Sequence, residues 1–431
     1  MHGASSAVAH GEHGSITESP APPGARPAAM KDVAVSAPAD IGAAQEACAP
    51  AAPRHAGTDA AATFATVVPL HCTYRFTFTG SGREYFRVWI VNLCFTLLTL
   101  GLYSPWAKVR RLQYFARHTR LDGAVFDFHG DPRAILKGRL VALVLLAAWH
   151  YAFSLSLGAG LVIVGGLALA LPLFLRSALR FRLANTSHRG LRFGFDGSIG
   201  GAYRAWLPMM AVFMAPTLVL AIWPLQPKLF GMAMLAYLAW PWIHAGIKRY
   251  QHGGLRYADC LASAPVPRTP FVIAWLVAAF AALGIGLLAL MVISVTGSVL
   301  GTSDSDHAGI VVVLIGTLFA YAGYLLAFPI VPVWGHNASW SATAFPGVRI
   351  ESSMTVSAYM KLEAVNVALT VLTLGLFRPF AAVRGYRYRL ATLGLSCDGP
   401  IDRIVARAPA SPSGRAHGDA ASDLLSVDLS W

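Results

Sequence analysis

Charged side chains are the usual carriers of chemistry, and this sequence keeps them out of its apolar stretches. Asp, Glu, Lys and Arg are absent from Leu140–Leu175, Ala205–Pro227, Leu229–Ile247, Thr269–Ser303 and Ile310–Val348. The main ionisable exception is His150, with His244 nearer the end of its stretch. We expect these histidines to make hydrogen bonds between helices or to lie at the membrane interface, rather than to relay protons. No nucleophile elbow, phosphate loop, HExxH motif or carboxylate pair is present, so we expect no enzyme activity, no metal and no cofactor.

The residues most able to bind a ligand are arginines interleaved with aromatic side chains, and asparagines in apolar surroundings. Such basic and aromatic segments suit an anionic leaflet, because aromatic rings lie at headgroup depth and arginines attract the phosphates. We therefore predict anionic headgroups at the cytoplasmic face as partners. The predicted hairpin or lipid-contact residues are Asn92, Pro105, Trp106, Arg110, Arg111, Arg180, Asn366, Pro379 and Arg384.

The composition indicates where the elements that carry these residues lie. The chain has 431 residues, of which 55% are hydrophobic and 13% charged. Soluble domains average about 25% charged residues, so the apolar excess predicts lipid-facing surface. The net charge of +13 comes from short basic bursts beside apolar stretches. That distribution favours membrane flanks over a nucleic-acid groove, and we expect no nucleic-acid partner.

Three regions follow from the composition along the chain. Residues 1–65 are rich in Ala, Pro, Gly and Ser and show no apolar period, which predicts a disordered tail. Residues 70–398 contain all the long apolar stretches and form the predicted membrane domain. Residues 405–431 form a second polar tail, also predicted to be disordered.

Internal repeats organise the membrane domain. The phrase "LTLGLYSPWAKVRRLQY" ending at Tyr114 has an ungapped copy, "LTLGLFRPFAAVRGYRY", ending at Tyr388. A signature F-x-F-x-G occurs three times, ending at Gly80, Gly130 and Gly197. Each repeat is interpreted as a helix that ends near proline, a basic segment, a short β-hairpin and the next helix.

Two topologies compete for the apolar segments that bracket the set, 88–103 and 364–377. If both span the membrane, 20 of the 34 Lys and Arg residues lie on one side and 14 on the other. If both enter and leave on one side, 33 of the 34 Lys and Arg residues lie on that side. The positive-inside rule favours the second arrangement. We therefore predict an all-α, multi-pass protein with about six transmembrane helices, two re-entrant or spanning segments, short cytoplasmic β-hairpins, and both termini in the cytoplasm.

The repeated phrases resemble the YjgN family of bacterial inner-membrane proteins, a family of unknown function. The resemblance covers roughly residues 74–395 and rests on the paired T-L-G-[LI]-[YF]-x-P-[WF] phrases. It implies a location in the bacterial inner membrane. It supplies no catalytic residues to carry over, and the last copy departs from the first at Phe380 and Ala382.

Two functions are compatible with these patterns, and the first of them is the one that we expect. A channel-like or transporter-like protein is favoured by the repeats and by the broken hairpins around a possible central site. A non-catalytic membrane-organising or lipid-binding protein is favoured by basic and aromatic units repeated on one leaflet. The sequence leaves the ligand and the oligomeric state open.

Overall fold

The computed structural model describes residues 71–223, 226–300, 306–327 and 329–399. The predicted tails, 1–65 and 405–431, lie outside the described residues. The helices are α1 (Gly82–Leu98), α2 (Ser104–Arg117), α3 (Pro132–Leu155), α4 (Leu157–Ala184), α5 (Ile199–Ile222), α6 (Pro227–Leu235), α7 (Trp240–Gly253), α8 (Thr269–Leu300), α9 (Asp306–Ala327), α10 (Ile330–Ser341), α11 (Val356–Leu372) and α12 (Arg378–Ala391). A 3-10 turn, Ala236–Ala239, joins α6 to α7.

The strands form one antiparallel sheet of ten short strands. They are β1 (His71–Phe78), β2 (Thr119–Leu121), β3 (Ala124–Phe128), β4 (Thr186–His188), β5 (Leu191–Phe195), β6 (Leu255–Tyr257), β7 (Cys260–Leu261), β8 (Ala344–Phe345), β9 (Val348–Ser352) and β10 (Leu393–Asp398). Their order is β7-β6-β5-β4-β3-β2-β1-β10-β9-β8. A bridge between Ser263 and Ala344, with two backbone hydrogen bonds of 2.8 and 2.9 Å, links the two edges. The sheet is therefore nearly closed into a ring.

The all-α prediction and the count of about six spanning helices are both wrong. The ten-stranded sheet contradicts the first, and the lengths and compositions of the helices contradict the second. Among the described residues, four helical segments are long and apolar enough to cross a membrane: Leu157–Ala184, Ile199–Ile222, Thr269–Thr296 and Pro227–Gly253, the last made of α6, α7 and the 3-10 turn between them. Strands as short as the two-residue β7 and β8 carry no readable periodicity, since only pairing with distant strands defines them.

The helices between successive strands form five helical units, each attached to the ring at both of its ends. The first is α1–α2, the second α3–α4, the third α5–α7, the fourth α8–α10 and the fifth α11–α12. Each unit leaves the ring at one strand and returns at the adjacent strand, as when β1 leads into the first unit and β2 leads out. Every unit therefore starts and ends at the same face of the molecule.

Hairpin turns between neighbouring strands connect successive units. The ring is closed instead by the pairing of two strands that no hairpin turn joins. Asp122 and Gly123 between β2 and β3 both have positive φ, 50° and 72°, which is the backbone of a tight type I′ turn. Arg189 and Gly190 repeat this geometry between β4 and β5. The remaining junction is the pairing of β1 with β10, the first and last strands of the sequence.

The F-x-F-x-G signature is a packing motif at the point where a strand leads into a helix. The second phenylalanine ring folds back over the glycine that follows it. A Cβ added to Gly130 would lie 2.5 Å from Cε1 of Phe128, and one added to Gly197 would lie 2.5 Å from Cε1 of Phe195. Any side chain at the glycine would displace the ring from the core.

We call the first helix of a unit, which leaves the ring, its outgoing helix, and the last helix, which comes back to the ring, its returning helix. Tyrosine hydroxyls bond the returning helix to the residue that precedes the outgoing helix. The hydroxyl of Tyr114 in α2 donates to the carbonyl of Ser81, which precedes α1, at 2.8 Å. Tyr250 in α7 donates to the carbonyl of Ser198 at 3.0 Å, and Tyr388 in α12 contacts Thr355 at 3.2 Å. Desolvation and the nearby Glu84 carboxylate raise the pKa of Tyr114 to about 12, so it stays a donor.

The packed core lies at the ends of the helices that face the ring. Leu175, Leu179 and Trp206 are fully buried there, between α4, α5 and α7. Farther from the ring the helices are mostly exposed: in the most apolar part of Thr269–Thr296, for example, only 6% of the residues are buried. Apolar residues with no protein partner at spanning length are suited to contact lipid.

The glycine of the packing motif can be tested by adding one methyl group. Gly130→Ala should lower the free energy of unfolding by about 1–3 kcal/mol, the usual cost of overpacking a filled site. The measurement is thermal or denaturant unfolding of the full chain in a mild detergent. Gly165→Ala is the control, because a Cβ there meets nothing within 4 Å inside α4. It should be neutral or raise stability by about 0.5–1 kcal/mol. Equal effects at both positions would contradict the motif.

Candidate functional site

The two repeated phrases form two helical hairpins of the same shape. In the first hairpin α1 turns into α2 at Leu100 and Gly101, whose φ values are 50° and 91°. In the second, α11 turns into α12 at Leu374 and Gly375, with φ values of 51° and 92°. Both outgoing helices have 17 residues and both returning helices have 14. We call the two together the twin hairpins.

The tip of each hairpin satisfies its backbone groups internally. The amide of Gly101 donates to the carbonyl of Thr96 at 2.7 Å, and the hydroxyl of Thr99 accepts from the amide of Tyr103 at 3.0 Å. The second hairpin repeats both bonds through Gly375 and Thr373. Backbone bonding of this kind is what a chain needs in order to turn without water.

The same tips expose large apolar side chains. Leu100 is 96% exposed and Leu374 is 95% exposed. Their exposed apolar neighbours are Leu97, Leu98, Leu102, Val371, Leu372 and Leu376. No charged residue occurs from Val88 to Ala107 or from Ala364 to Phe377. A hairpin whose backbone groups are hydrogen-bonded internally and whose surface is apolar is suited to contact lipid.

The twin hairpins lie side by side, although they stand at opposite ends of the membrane domain. The pairing of β1 with β10 makes their units neighbours in the ring. Helix α12 packs on α1, with the rings of Phe86 and Phe380 5.6 Å apart. A Cβ on Gly82 would lie 2.6 Å from Cδ1 of Phe380, so the two helices are in close contact. The repeated phrases therefore produce one paired structure.

The asparagines predicted as contact residues are buried at equivalent places in the twin hairpins. Asn92 in α1 is 7% exposed and Asn366 in α11 is 4% exposed. The side-chain oxygen Oδ1 of each has no hydrogen-bond partner. The backbone carbonyl of each accepts from a threonine hydroxyl one turn later, Thr96 or Thr370, at 2.6 Å. These oxygens are available to a donor that enters the hairpins.

The other predicted contact residues separate into buried hinge positions and exposed cations. Pro105 and Pro379 are fully buried at the starts of α2 and α12. Trp106 stacks on Tyr103, with ring centroids 6.1 Å apart, and the Arg110 guanidinium lies 5.7 Å from the centre of the Tyr103 ring.

Arg111 and Arg180 are also exposed, whereas Arg384 is half-buried. Arg180 belongs to α4 in the second unit, so the structure does not place it on either of the twin hairpins. The predicted contact residues are therefore not one cluster.

A set of hydrogen bonds between neighbouring units was not predicted from the sequence. In every unit a polar side chain of the returning helix donates to a backbone carbonyl at the start of the next unit. The five bonds are Gln113 to Phe128 (3.3 Å), Arg176 to Gly197 (2.7 Å), Arg249 to Val266 (2.6 Å), Asn337 to Met354 (2.8 Å) and Arg387 to Gly80 (2.9 Å). Four of the five donors, Gln113, Arg249, Asn337 and Arg387, follow the proline of their repeat by the same number of residues. This spacing is difficult to detect in the sequence because the donors differ in residue type.

Inside the ring an aromatic stack surrounds a buried histidine. His188 in β4 is 3% exposed, and its ring lies 4.4 Å from that of Phe126 on one side. The hydroxyl of Tyr257 in β6 donates to the His188 carbonyl at 3.3 Å. Desolvation lowers the pKa of His188 to about 4, and the Arg189 charge acts in the same direction. The imidazole is therefore neutral near neutral pH.

The architecture defines the class of this protein before any comparison. In the part of the chain that the structure describes, four helical segments of spanning length and composition lie on one side of a sheet, and two apolar hairpins lie on the same side. These features belong to a helical membrane protein.

The chain belongs to the family described as bacterial protein of unknown function (DUF898), whose model matches residues 73–424. It is similar to the inner membrane protein YjgN of Salmonella typhimurium, with 34% identity over 141 residues, 31% of this chain and 34% of the relative. The YjgN protein of Escherichia coli strain K12 is 31% identical over 140 residues, 31% of this chain and 33% of the relative. The YjgN resemblance and the inner-membrane assignment are confirmed.

The relationship extends over a limited part of each relative. The matches to the Salmonella and K12 proteins span about a third of their length. The protein of Escherichia coli O157:H7 is 26% identical over 184 residues, which is 40% of its length. No solved structure matches the chain significantly.

The bond that crosses the junction of the terminal strands can be tested by removing the arginine. Arg387→Met keeps the length of the side chain but loses the bond to the Gly80 carbonyl, so stability should fall by about 1 kcal/mol. Hydrogen exchange should increase in β1 and β10 more than in β4 and β5. Arg110→Met is the control, since Arg110 lies over a tyrosine ring and makes no such bond between units. An exchange increase of the same size in all strands would refute a local role at the junction.

The buried histidine predicts a pH dependence of stability. Its folded pKa of about 4 lies below the ordinary value of 6.5. Stability is therefore full above pH 6.5 and falls as the pH drops toward 4, because only the unfolded state takes up the proton. His188→Phe, which keeps the stack on Phe126, should reduce the loss of thermal stability between pH 7.5 and pH 5. The same loss in both proteins would show that another group carries the dependence.

Proposed function

We propose that this protein is a non-catalytic lipid-binding protein that organises the cytoplasmic leaflet of the bacterial inner membrane. The observation that carries the proposal is the pair of adjacent hairpins whose exposed tips are apolar and whose backbone is bonded internally. Such tips can rest in a lipid leaflet without leaving polar backbone groups unsatisfied. The inner-membrane location of the relatives is consistent with this role.

The length of the hairpins supports insertion into one leaflet. From Val88 to Leu98, α1 is uncharged and about 17 Å long at 1.5 Å per residue. The hydrocarbon core of a bilayer is about 30 Å thick, so this length reaches roughly its middle. Because the chain then turns at Gly101 and returns to the ring, each hairpin begins and ends at the same membrane face.

The distribution of charge supports a cytoplasmic location for the ring. Among the described residues, Lys228 and Arg378 apart, each Lys and Arg lies in the sheet or within about three helical turns of it. Basic residues concentrate on the cytoplasmic side of inner-membrane proteins. On this proposal the protein is multi-pass, and both termini are cytoplasmic.

The exposed cations beside the hairpins suit anionic headgroups. Arg110, held over the Tyr103 ring, and Arg111 project from α2 below the apolar tip. Each basic residue near an anionic leaflet contributes about 1 kcal/mol of attraction. Headgroup binding and tip insertion would then act together at one place.

Channel-like or transporter-like activity is the second candidate, and one observation favours it. Asn92 and Asn366 present buried oxygens with no hydrogen-bond partner. A transported solute could bind such oxygens. The lipid-binding role explains more of the geometry, because it accounts for the tips, the cations and the one-sided topology together.

Depth measurements on single labelled cysteines test the insertion. In a variant without native cysteines, fluorophores attached at Leu100→Cys and Leu374→Cys should be quenched most strongly by spin labels near the bilayer centre. A fluorophore at Arg120→Cys on β2, an exposed position in the sheet, should be quenched only from the aqueous phase. Labelling of Leu100→Cys by an impermeant reagent added from the periplasm would show that the hairpin crosses the membrane, and the proposal would fail.

Native mass spectrometry tests the lipid preference in the same system. Arg110→Gln combined with Arg111→Gln should reduce the retention of anionic lipid several-fold relative to the wild-type chain. Arg349→Gln, which removes one exposed charge from β9, is the matched control and should retain the wild-type amount. Equal retention by all three proteins would argue against headgroup binding at the twin hairpins.

A further inference from the structure

A buried tyrosine lies where the twin hairpins meet. Tyr85 in α1 is 4% exposed, and its ring centroid lies 5.1 Å from that of Tyr114 and 4.9 Å from that of Phe115, both in α2. Val383 of α12 belongs to the same packed cluster. Tyr85 therefore stands between three helices, two from the first hairpin and one from the second. We call this place the hairpin junction.

The packing of α12 on α1 brings an arginine of the second hairpin to the junction. Arg378 follows the apolar tip of its hairpin in the sequence. Phe380, two residues later, packs on the first turns of α1: its ring centroid lies 5.6 Å from that of Phe86, and its Cδ1 would lie 2.6 Å from a Cβ on Gly82. Arg378 therefore lies beside the start of α1, and not beside the tip of the first hairpin.

Two cations act on the Tyr85 hydroxyl, one from each hairpin. Burial raises the pKa of this hydroxyl, whereas the charges of Arg111 in α2 and Arg378 in α12 act to lower it. Charges on exposed side chains are largely screened beyond about 10 Å, so both guanidinium groups lie near the hydroxyl. The hydroxyl keeps its proton, and among the described residues it has no hydrogen-bond partner. It can therefore donate to a ligand.

Both arginines are also available to a ligand. Arg111 and Arg378 are exposed, and neither makes a hydrogen bond or an ion pair with a residue that the structure describes. Within the described part of the chain, no carboxylate is among the groups that act on Tyr85. Its sequence neighbour Glu84 closes the N-terminal cap of α1, where Oε2 accepts from the Ser81 amide at 3.4 Å. The junction thus holds two positive charges that no described carboxylate pairs with.

The equivalent position in the second hairpin lacks this arrangement. Tyr359 aligns with Tyr85 in the repeat and is 6% exposed. The charges that act on its hydroxyl are those of Arg389 and Glu363, a cation and an anion. Two cations around one buried tyrosine are therefore a consequence of the contact between the hairpins, and not of the repeated phrase itself.

The surroundings of the junction indicate a lipid with two phosphates. A guanidinium group can pair with a phosphate through two parallel hydrogen bonds, so two guanidinium groups on separate helices suit two phosphates. Beyond the junction, α1 exposes Val91 and Phe95, and the leucines of the tip follow. Acyl chains of a bound lipid would lie along these residues. Basic pockets between helices at the cytoplasmic face suit headgroups of this kind.

We propose that the hairpin junction binds a lipid whose headgroup holds two phosphates joined by a glycerol, which is the chemistry of cardiolipin. One phosphate pairs with Arg111 and the other with Arg378, and the Tyr85 hydroxyl donates to the headgroup between them. This inference rests on the proposed function, because the acyl chains need hairpins that lie in the leaflet. It goes further by naming the class of lipid and a site that needs both hairpins.

Native mass spectrometry of the full chain in mild detergent tests the site. The chain is offered cardiolipin and phosphatidylglycerol, which has one phosphate, at equal phosphate concentration, and should retain cardiolipin at least about fivefold better. Arg378→Gln should reduce the retention of cardiolipin about tenfold, and that of phosphatidylglycerol by less than about twofold, because only the second phosphate loses its partner. Thermal stability should not change, since Arg378 makes no bond with a described residue.

Two matched controls accompany the test. Lys361→Gln removes one exposed charge from the same hairpin and should retain the wild-type amount of both lipids. Tyr85→Phe should reduce the retention of cardiolipin several-fold, because it removes a hydroxyl that is free to donate. Tyr359→Phe, at the equivalent position, should keep the wild-type preference.

The outcomes separate this site from a general attraction of the hairpins for anionic lipid. If the tips are inserted but the wild-type chain retains both lipids equally, this proposal fails and the proposed function stands. The same conclusion follows if Arg378→Gln and Lys361→Gln lose equal amounts of cardiolipin. If pyrophosphate displaces cardiolipin and its binding depends on Arg378, the ligand is soluble and the lipid assignment is wrong. Tips that lie outside the bilayer would contradict the proposed function, and this inference with it.

Discussion

The pairing of β1 with β10 is the interaction on which the rest of the structure depends. Residues His71–Arg75 pair with Gly394–Asp398 in antiparallel register and bring the two ends of the described part of the chain together. The other strands have two to five residues and could not form a stable sheet in isolation. The closed order gives nearly every strand two neighbours and leaves little free edge. Each helical unit must then return to the strand beside the one it left.

This constraint explains the one-sided arrangement of helices and the bonds between units. A chain that always returns to the adjacent strand can only build hairpins on one face of the ring. Side chains such as Arg249 and Asn337 donate to backbone carbonyls at the start of the following unit. At the terminal junction, where no hairpin loop links the strands, Arg387 supplies the corresponding bond to Gly80. The ring is thus held by the same kind of contact all the way round.

The closure of the ring explains why the repeated phrase occurs near both ends of the membrane domain. Its threonines and glycine let each tip turn with its backbone bonded, and its leucines face outward. Because the terminal strands meet, the two copies stand side by side and offer one paired apolar surface. Buried polar side chains are instead found at the ring-side ends of the helices, as where His252 of α7 lies 2.9 Å from the hydroxyl of Thr343 after α10. Apolar side chains that can contact lipid and polar side chains that form hydrogen bonds near the ring therefore occupy different parts of the helices.

The sequence by itself determined the class of protein, the family and the repeats. Long uncharged stretches leave no alternative to lipid contact, and local signals such as Asp122-Gly123 and F-x-F-x-G depend on residues close together in the chain. Only the tertiary structure decided the sheet and the number of helices fit to span, since strands such as β7 and β8 have no local period and exist through distant partners. It also decided that Asn92 and Asn366 belong to neighbouring hairpins, and that His252 meets Thr343. Contacts between residues this far apart arise from ring closure, which no local pattern of residues encodes.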